Sequence, residues 1–448
     1  MSPLNTAKVA IIGGGLAGCE CAWQLARYGV GAVIFEMKPE QFSPAHVREG
    51  LAELVCSNSF RSDDPETAVG QLKREMREAE SLIMEAAEAT RVPAGKALAV
   101  DRERFSDYIT EAVETHALIR LEHREIQSLE DPILAGFEAV VVAAGPLASE
   151  ELASSLARAV GNERLYFYDA IAPIVEADSV DLGTAYWASR YNPEEKDYLN
   201  CPMTEEQYMV FHAALLEADK VQPKDFEKEV HFEGCLPIEA MAERGEKTLS
   251  FGPLKPVGLE HPETGERFYA VVQLRPENEA KTRLNMVGFQ TKLTYPEQKR
   301  VFSMIPGLEN AEFERMGSIH RNTYVDAPKV LTEHLELKAC PGVFLAGQVT
   351  GVEGYVESTA CGLWLGLYLA GKLTGHEVST PPSETALGAL LMHLRTEAKN
   401  FQPSNVQFGL MPPLGVKANK RKRKGLYAQR AEKAWATWQE ESGCVREE

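Results

Sequence analysis

Residues 8–18 read KVAIIGGGLAG: a short apolar run rich in β-branched residues, then Gly13, Gly15 and Gly18 at the GxGxxG spacing. That order predicts a strand, a tight turn and a helix beginning near Leu16. The glycines, Gly14 among them, let the backbone approach a pyrophosphate. The helix end adds unpaired N–H groups and the positive end of its dipole. Downstream, GAVIFE (31–36) supplies a second strand ending in Glu36, where a carboxylate accepts from a ribose hydroxyl. The stretch therefore predicts an α/β chain with a Rossmann-type dinucleotide-binding unit. NAD and FAD fit this half equally well.

The far end of the chain separates them. GVFLAGQVTGVEGYVESTACGLWLG (342–366) predicts a strand over Val343–Ala346, a Gly-rich loop and a helix starting near Ser358. It resembles the segment with which flavoproteins of the glutathione-reductase type close over the isoalloxazine, a helix N-terminus facing the ring edge that becomes anionic on reduction. That resemblance marks Gly347, Gln348, Gly354, Tyr355 and Ser358 as cofactor residues. FEAVVVAAGP (137–146) resembles the third contact of such folds, with Ala144 and Gly145 beside the cofactor. FAD is the expected cofactor.

Between these segments, short β-rich runs broken by Pro and Gly predict an inserted α+β domain. The expected division is a first FAD-binding part over 1–165, the insertion over 166–310, a second FAD-binding part over 311–375, and a helical C-terminal extension over 376–448. TAVGQLKREMREAESLIMEAAEAT (67–90) reads as one surface helix. Apolar residues at 44% and charged residues at 25% are the balance of a soluble globular protein. The longest apolar stretch, Cys361–Leu373, falls short of the about 20 residues a membrane span needs and reads as a buried helix. No secretory signal opens the chain, so the expected location is cytoplasmic, where thiols stay reduced.

Eight cysteines are scattered without metal-binding spacing, and no metal is expected. Cys19, Cys21 and Cys361 lie in predicted helices and read as small buried hydrophobes. Cys56 and Cys235 differ, lying in the polar, Ser- or Gly-marked segments ELVCSNSFRSD and HFEGCLPIE; spacing alone leaves each reactive or structural.

CSNSFRSD, EGCLPIE, SFGPLKPVGL, VQLRPEN, NMVGFQTKL and SIHRNTYVDAP, together with the two FAD segments, closely resemble the folate- and FAD-dependent tRNA (uracil-5-)-methyltransferases, the TrmFO family, from about Lys8 to Lys424. The resemblance implies a glutathione-reductase-like FAD domain carrying an insertion. It also implies an enzyme making 5-methyluridine at position 54 of the tRNA T loop, with methylenetetrahydrofolate as one-carbon donor and NAD(P)H as reductant. Carbon 5 of uracil becomes nucleophilic only after a thiolate adds to carbon 6, and its proton must later be removed. Cys235 is assigned as nucleophile and Cys56 as acid/base, the reverse assignment remaining open.

An acidic chain, net charge −19, must still hold tRNA. Lys417-Ala-Asn-Lys420-Arg421-Lys422-Arg423-Lys424 concentrates positive potential where phosphates dock, and the nearby Tyr427 and Trp435 either pack or stack on bases. A solvated charge run is the plainer alternative. Arg283, Lys292, His320 and Arg321 are further candidates for RNA or the folate tail. Two other functions are weighed: the related FAD- and folate-dependent enzyme that modifies the wobble uridine, and a flavin-dependent NAD(P)H oxidoreductase. The second needs a redox cysteine pair that the sequence lacks.

Overall fold

The computed structural model describes residues 7–161, 164–192, 194–221, 236–261, 263–398, 401–416 and 419–442, with backbone only at 164–169, 319–321, 420 and 421. Five parallel strands form the first sheet in the order 343–345, 139–142, 9–12, 32–36, 119–123. Their register is level: Ile12 lies opposite Phe35 on one side and Val142 on the other, and Val142 lies opposite Leu345. Strands buried on both faces read as continuous Val/Ile/Ala runs, as these do. All the loops leaving their carboxyl ends open on one crevice, the place where an open α/β sheet binds ligands.

Two helices are pressed together behind that crevice. The first, Leu16–Arg27, crosses the long late helix Tyr355–Thr374. A methyl group on Gly362 would sit 2.1 Å from the Ala17 carbonyl oxygen, and one on Gly366 would sit 2.9 Å from that of Cys21. Backbone therefore lies on backbone, which only glycine permits. Cys19, Cys21 and Cys361 are fully buried beside this crossing, as expected of small apolar side chains.

The inserted region forms a six-stranded antiparallel sheet in the order 186–188, 198–203, 270–276, 283–286, 174–176, 313–315, so strand 313–315 joins it from beyond the boundary expected at 310. One face is apolar: Leu199, Cys201, Val272, Leu274, Leu284 and Met286 pack with Tyr208, Phe211 and Leu215 of helix Glu205–Glu217 and with Val301 and Phe302. The other face is polar and turns toward the first domain. Strands Arg164–Ile171 and Ser318–Val325 pair as a ribbon between the two sheets.

Two sequence expectations change. The 67–90 surface helix is two helices, Ala68–Glu78 and Leu82–Ala89, because Glu80 turns left-handed and the Ser81 hydroxyl caps Met84 N–H. Both are substantially buried, Lys73 and Glu75 included. The late helix begins at Tyr355, a turn before Ser358, since Gly354 at φ 108° makes the entry. The C-terminal helix Lys420–Ser442 lies on helix Ala68–Glu78, with Trp435 and Trp438 in the first core. Among the described residues no helix is long and apolar enough to cross a membrane.

Gly362→Val places a branched side chain against a backbone oxygen and should cost about 3 kcal/mol or more. The expected result in a thermal melt with parallel flavin quantification is a lowered Tm together with lost FAD; a wild-type Tm and occupancy would show that the crossing is not tight.

Candidate active site

The crevice at the carboxyl edge of the parallel sheet encloses about 1150 Å³, part of it open to solvent. Gly13, Gly14, Gly15, Glu36, Ala144, Gly145, Gly347, Gln348, Tyr355 and Ser358 all line it. Gly18 lies a turn inside the first helix, where a methyl group would meet the Gly13 carbonyl oxygen at 2.0 Å, and Gly354 caps the late helix. Glu36 accepts from Gly14 N–H at 2.7 Å and from Lys38 N–H at 3.1 Å, so its carboxylate is held rigidly at the crevice rim.

These residues fit FAD. Helices Leu16–Arg27 and Tyr355–Thr374 both start at the crevice without a side-chain cap and keep N–H groups free for an anion, whereas helix Glu150–Ala159, which also starts there, is capped by Ser149. A methyl group added at Gly15 or Gly145 would meet no protein atom within 4 Å; the space beside both is open to a ligand. His46 also lines the crevice, with Nδ1 2.5 Å from the Ser43 hydroxyl. Burial, aided by the charges of Lys38 and Arg315, pulls His46 down to about 4, so it presents a neutral ring at pH 7.

Cys56 stands where the two domains meet. Its N–H donates to Tyr355 Oη at 2.7 Å, and Ser57 N–H donates to the same oxygen at 3.2 Å. A residue of the crevice thus holds the cysteine loop. Burial, with the nearby Cys56 thiol, pushes the Tyr355 phenol well above its usual range, which keeps it a neutral hydroxyl. Three arginines grip the loop from the other side: Arg102 donates to Leu54 O at 2.6 Å, Arg315 to Val55 O at 2.6 Å, and Arg275 to Ser57 Oγ at 2.7 Å and Asn58 Oδ1 at 2.8 Å. Cys235 lies outside the described residues. Just after it, Glu239 accepts from Thr291 Oγ1 at 2.9 Å and Lys292 N–H at 2.7 Å, tying residues 236–242 to the insertion.

A second cleft of about 1610 Å³, part of it open to solvent, runs between the domains; four arginines, Arg102, Arg283 and Arg315 among them, and six carboxylates, Glu277 and Glu314 among them, line it, and it shares Glu53 with the crevice. Arg283 is bound to Glu103 and Glu314 at its edge. The side chains of His320 and Arg321, like those of Lys420 and Arg421, are outside the description, as is all of Lys417. Lys422, Arg423 and Lys424 are exposed on the first turns of the C-terminal helix. Cations are disfavoured at that end of a helix dipole, so local stability does not account for them. The aromatics there pack rather than stack on bases: Trp435 is fully buried, and Tyr427 stacks on Phe408 with ring centroids 5.2 Å apart.

The family model described as glucose inhibited division protein A matches residues 8–377. A protein of Oleidesulfovibrio alaskensis called methylenetetrahydrofolate--tRNA-(uracil-5-)-methyltransferase TrmFO is 63% identical over 438 residues, 98% of each chain. The chain belongs to the TrmFO family. A TrmFO relative from Geobacter sulfurreducens is 57% identical over 95% of this chain and 97% of its own. The fold is that of Aquifex aeolicus GidA, whose structure superposes with TM-score 0.70 over 99% of this chain and 75% of that one at 18% identity.

Sequence reading of this TrmFO chain missed the arginine collar and the tie from Tyr355 to Cys56. A signal for the first exists in VQLRPEN, where Gln273, Arg275 and Glu277 alternate with apolar residues along a strand.

Gly15→Val should fill the space kept for the pyrophosphate, and Glu36→Ala should remove the ribose acceptor. Both variants are expected to purify with FAD occupancy reduced at least tenfold at equal folded content, read by absorbance after denaturation; full occupancy in both would contradict the assigned cradle.

Proposed function

We propose that this chain is a cytoplasmic enzyme that methylates carbon 5 of uridine 54 in the T loop of tRNA, using methylenetetrahydrofolate, FAD and NAD(P)H. The observation that carries the reading is the junction of Tyr355 with the Cys56 loop. It ties the loop that carries Cys56 to a residue lining a dinucleotide crevice, which supports the reading, in a chain 63% identical to a protein of that name.

The residues divide the work. Gly13, Gly14, Gly15 and Glu36 bind the pyrophosphate and ribose of FAD, and Ala144, Gly145, Gly347, Gln348, Tyr355 and Ser358 bind its ring system, while Gly18 lets the first helix close on the glycine turn and Gly354 sets the start of the late helix. Bound FAD supplies the reducing equivalents that turn the transferred methylene into a methyl group. Cys235 adds to carbon 6 of the uracil, making carbon 5 nucleophilic, and departs at the end. Cys56 takes the proton from carbon 5 once the methylene is attached. Lys417, Lys420, Arg421, Lys422, Arg423 and Lys424 bind tRNA phosphates, so tRNA is held by a small positive region of an acidic protein.

The cysteine roles are tested with tRNA carrying 5-fluorouridine at position 54, whose fluorine does not leave as a proton does. Cys235→Ala should keep FAD and tRNA binding, lose methylation and form no denaturation-resistant adduct. Cys56→Ala should also lose turnover yet still form one. The opposite pattern exchanges the roles, and adducts in both variants eliminate each as sole nucleophile.

Neutralising Lys420 to Lys424 should weaken tRNA binding and make its logarithmic dependence on salt shallower, by up to about 0.9 in slope per lost phosphate contact. Flavin reduction by NAD(P)H should survive. Unchanged affinity and slope would return the run to a solvated surface.

A further inference from the structure

The polar face of the inserted sheet carries a row of donors with too little negative charge to meet them. Across the strands, Arg275 lies opposite Asn285, Asn285 opposite Ile174, and Ile174 opposite Arg315. Directly opposed residues point to the same face of a sheet. Arg275 and Asn285 are buried. From opposite ends of the row the two arginines reach the same loop, Arg315 at Val55 and Arg275 at Ser57 and Asn58, the residues flanking Cys56.

Among the described residues neither arginine forms an ion pair. Nearby Glu277 is paired with Arg102, so three guanidinium groups surround one carboxylate. Between the two arginines, the buried Asn285 Nδ2 has no hydrogen-bond partner. A buried cation without a counter-ion, as at Arg275, and a buried donor without a partner, as at Asn285, are both costly, and Arg315 is half-buried beside them. Burial and the Arg102 charge indeed hold Arg275 and Arg315 below the usual arginine range. Of the three, Arg315 lines the cavity from which an acceptor carrying negative charge can arrive, while Arg275 and Asn285 are buried in the sheet and add positive charge and an unused donor to the same row.

We propose that Arg315, backed by the buried Arg275 and Asn285, stabilises negative charge on O4 of the target uracil while a cysteine is bonded to carbon 6. This rests on the methyltransferase reading. When the thiolate adds, a sulfur–carbon bond forms at carbon 6, the carbon 5–carbon 6 π bond is lost, and its electron pair passes into the enolate ending at O4. The negative charge moves from sulfur to O4 and no proton is transferred. Carbon 4 is bonded to carbon 5, so a Cys56 positioned to take the carbon 5 proton has O4 beside it, on the loop that both arginines hold. Fixed donors aimed at developing charge in a site screened from water act far more strongly than in solution.

The test uses full-length protein with bound FAD, both co-substrates and 5-fluorouridine-54 tRNA. It follows the rate of the denaturation-resistant adduct at saturating tRNA and, separately, the tRNA Kd. Arg315→Gln should form adduct about 100-fold more slowly with Kd within about threefold of wild type, and Arg315→Lys should recover part of the loss. Wild-type adduct rates in Arg315→Gln would overturn the proposal. So would a weakened Kd with an unchanged saturating rate, which marks a phosphate contact. If Arg315→Gln loses FAD, Asn285→Ala decides by the same two measurements: slower adduct at unchanged Kd supports the site, and a wild-type rate rejects it. Failure of the wild-type protein to form adduct or 5-methyluridine would instead reject the methyltransferase reading.

Discussion

The contact on which the molecule depends is the crossing of helices Leu16–Arg27 and Tyr355–Thr374. Gly362 and Gly366 remove the side chains that would hold the axes apart, and the Ala17 and Cys21 backbones fill the gap. The two helices come from opposite ends of the chain, yet the crossing brings both N-termini to one crevice. Their dipoles and free N–H groups converge there, so one site is suited to a pyrophosphate at one end and an electron-rich ring at the other. Everything inserted between the two helices in sequence hangs from this junction.

The thiol loop is the next level of constraint. Residues 54–58 have little regular structure of their own, and their backbone and side-chain groups are met by partners on three separate elements: Tyr355 of the late helix, Arg102 of helix Arg102–Thr115, and Arg275 and Arg315 of the inserted sheet, Arg275 binding the Ser57 and Asn58 side chains. Each contact reaches across a domain boundary or a long span of chain. The loop's position is therefore a readout of how the domains sit together, and Cys56 is placed by the whole assembly.

How much of this was legible follows from range. The Gly13–Gly18 motif, the acid at Glu36 and the late Gly-rich loop are local patterns, and each could be read because strand, turn and helix are contiguous. The Ser81 cap that splits the 67–90 segment was also local, but the helical charge pattern on either side concealed it. The polar row from Arg275 to Arg315 was not legible: it exists only after strands 174–176, 270–276, 283–286 and 313–315 find their register, and register is decided by the burial of the opposite face. Trp435 and Trp438 sat at helical spacing beside a basic run, and only the structure shows that helix Ala68–Glu78 takes them as core.

That C-terminal helix spans 23 residues, about 35 Å at 1.5 Å per residue. Its aromatic end is locked into the core that holds the crevice, with Trp438 Nε1 donating to Ser379 O at 2.8 Å, while Lys422, Arg423 and Lys424 at its basic end are exposed. The arm is thus a strut rather than a tether. Lys422, Arg423 and Lys424 at its tip therefore stand at a set distance from the thiol loop, so under the proposed function the arm would act as a ruler, selecting polynucleotides by the span between grip and target as well as by charge.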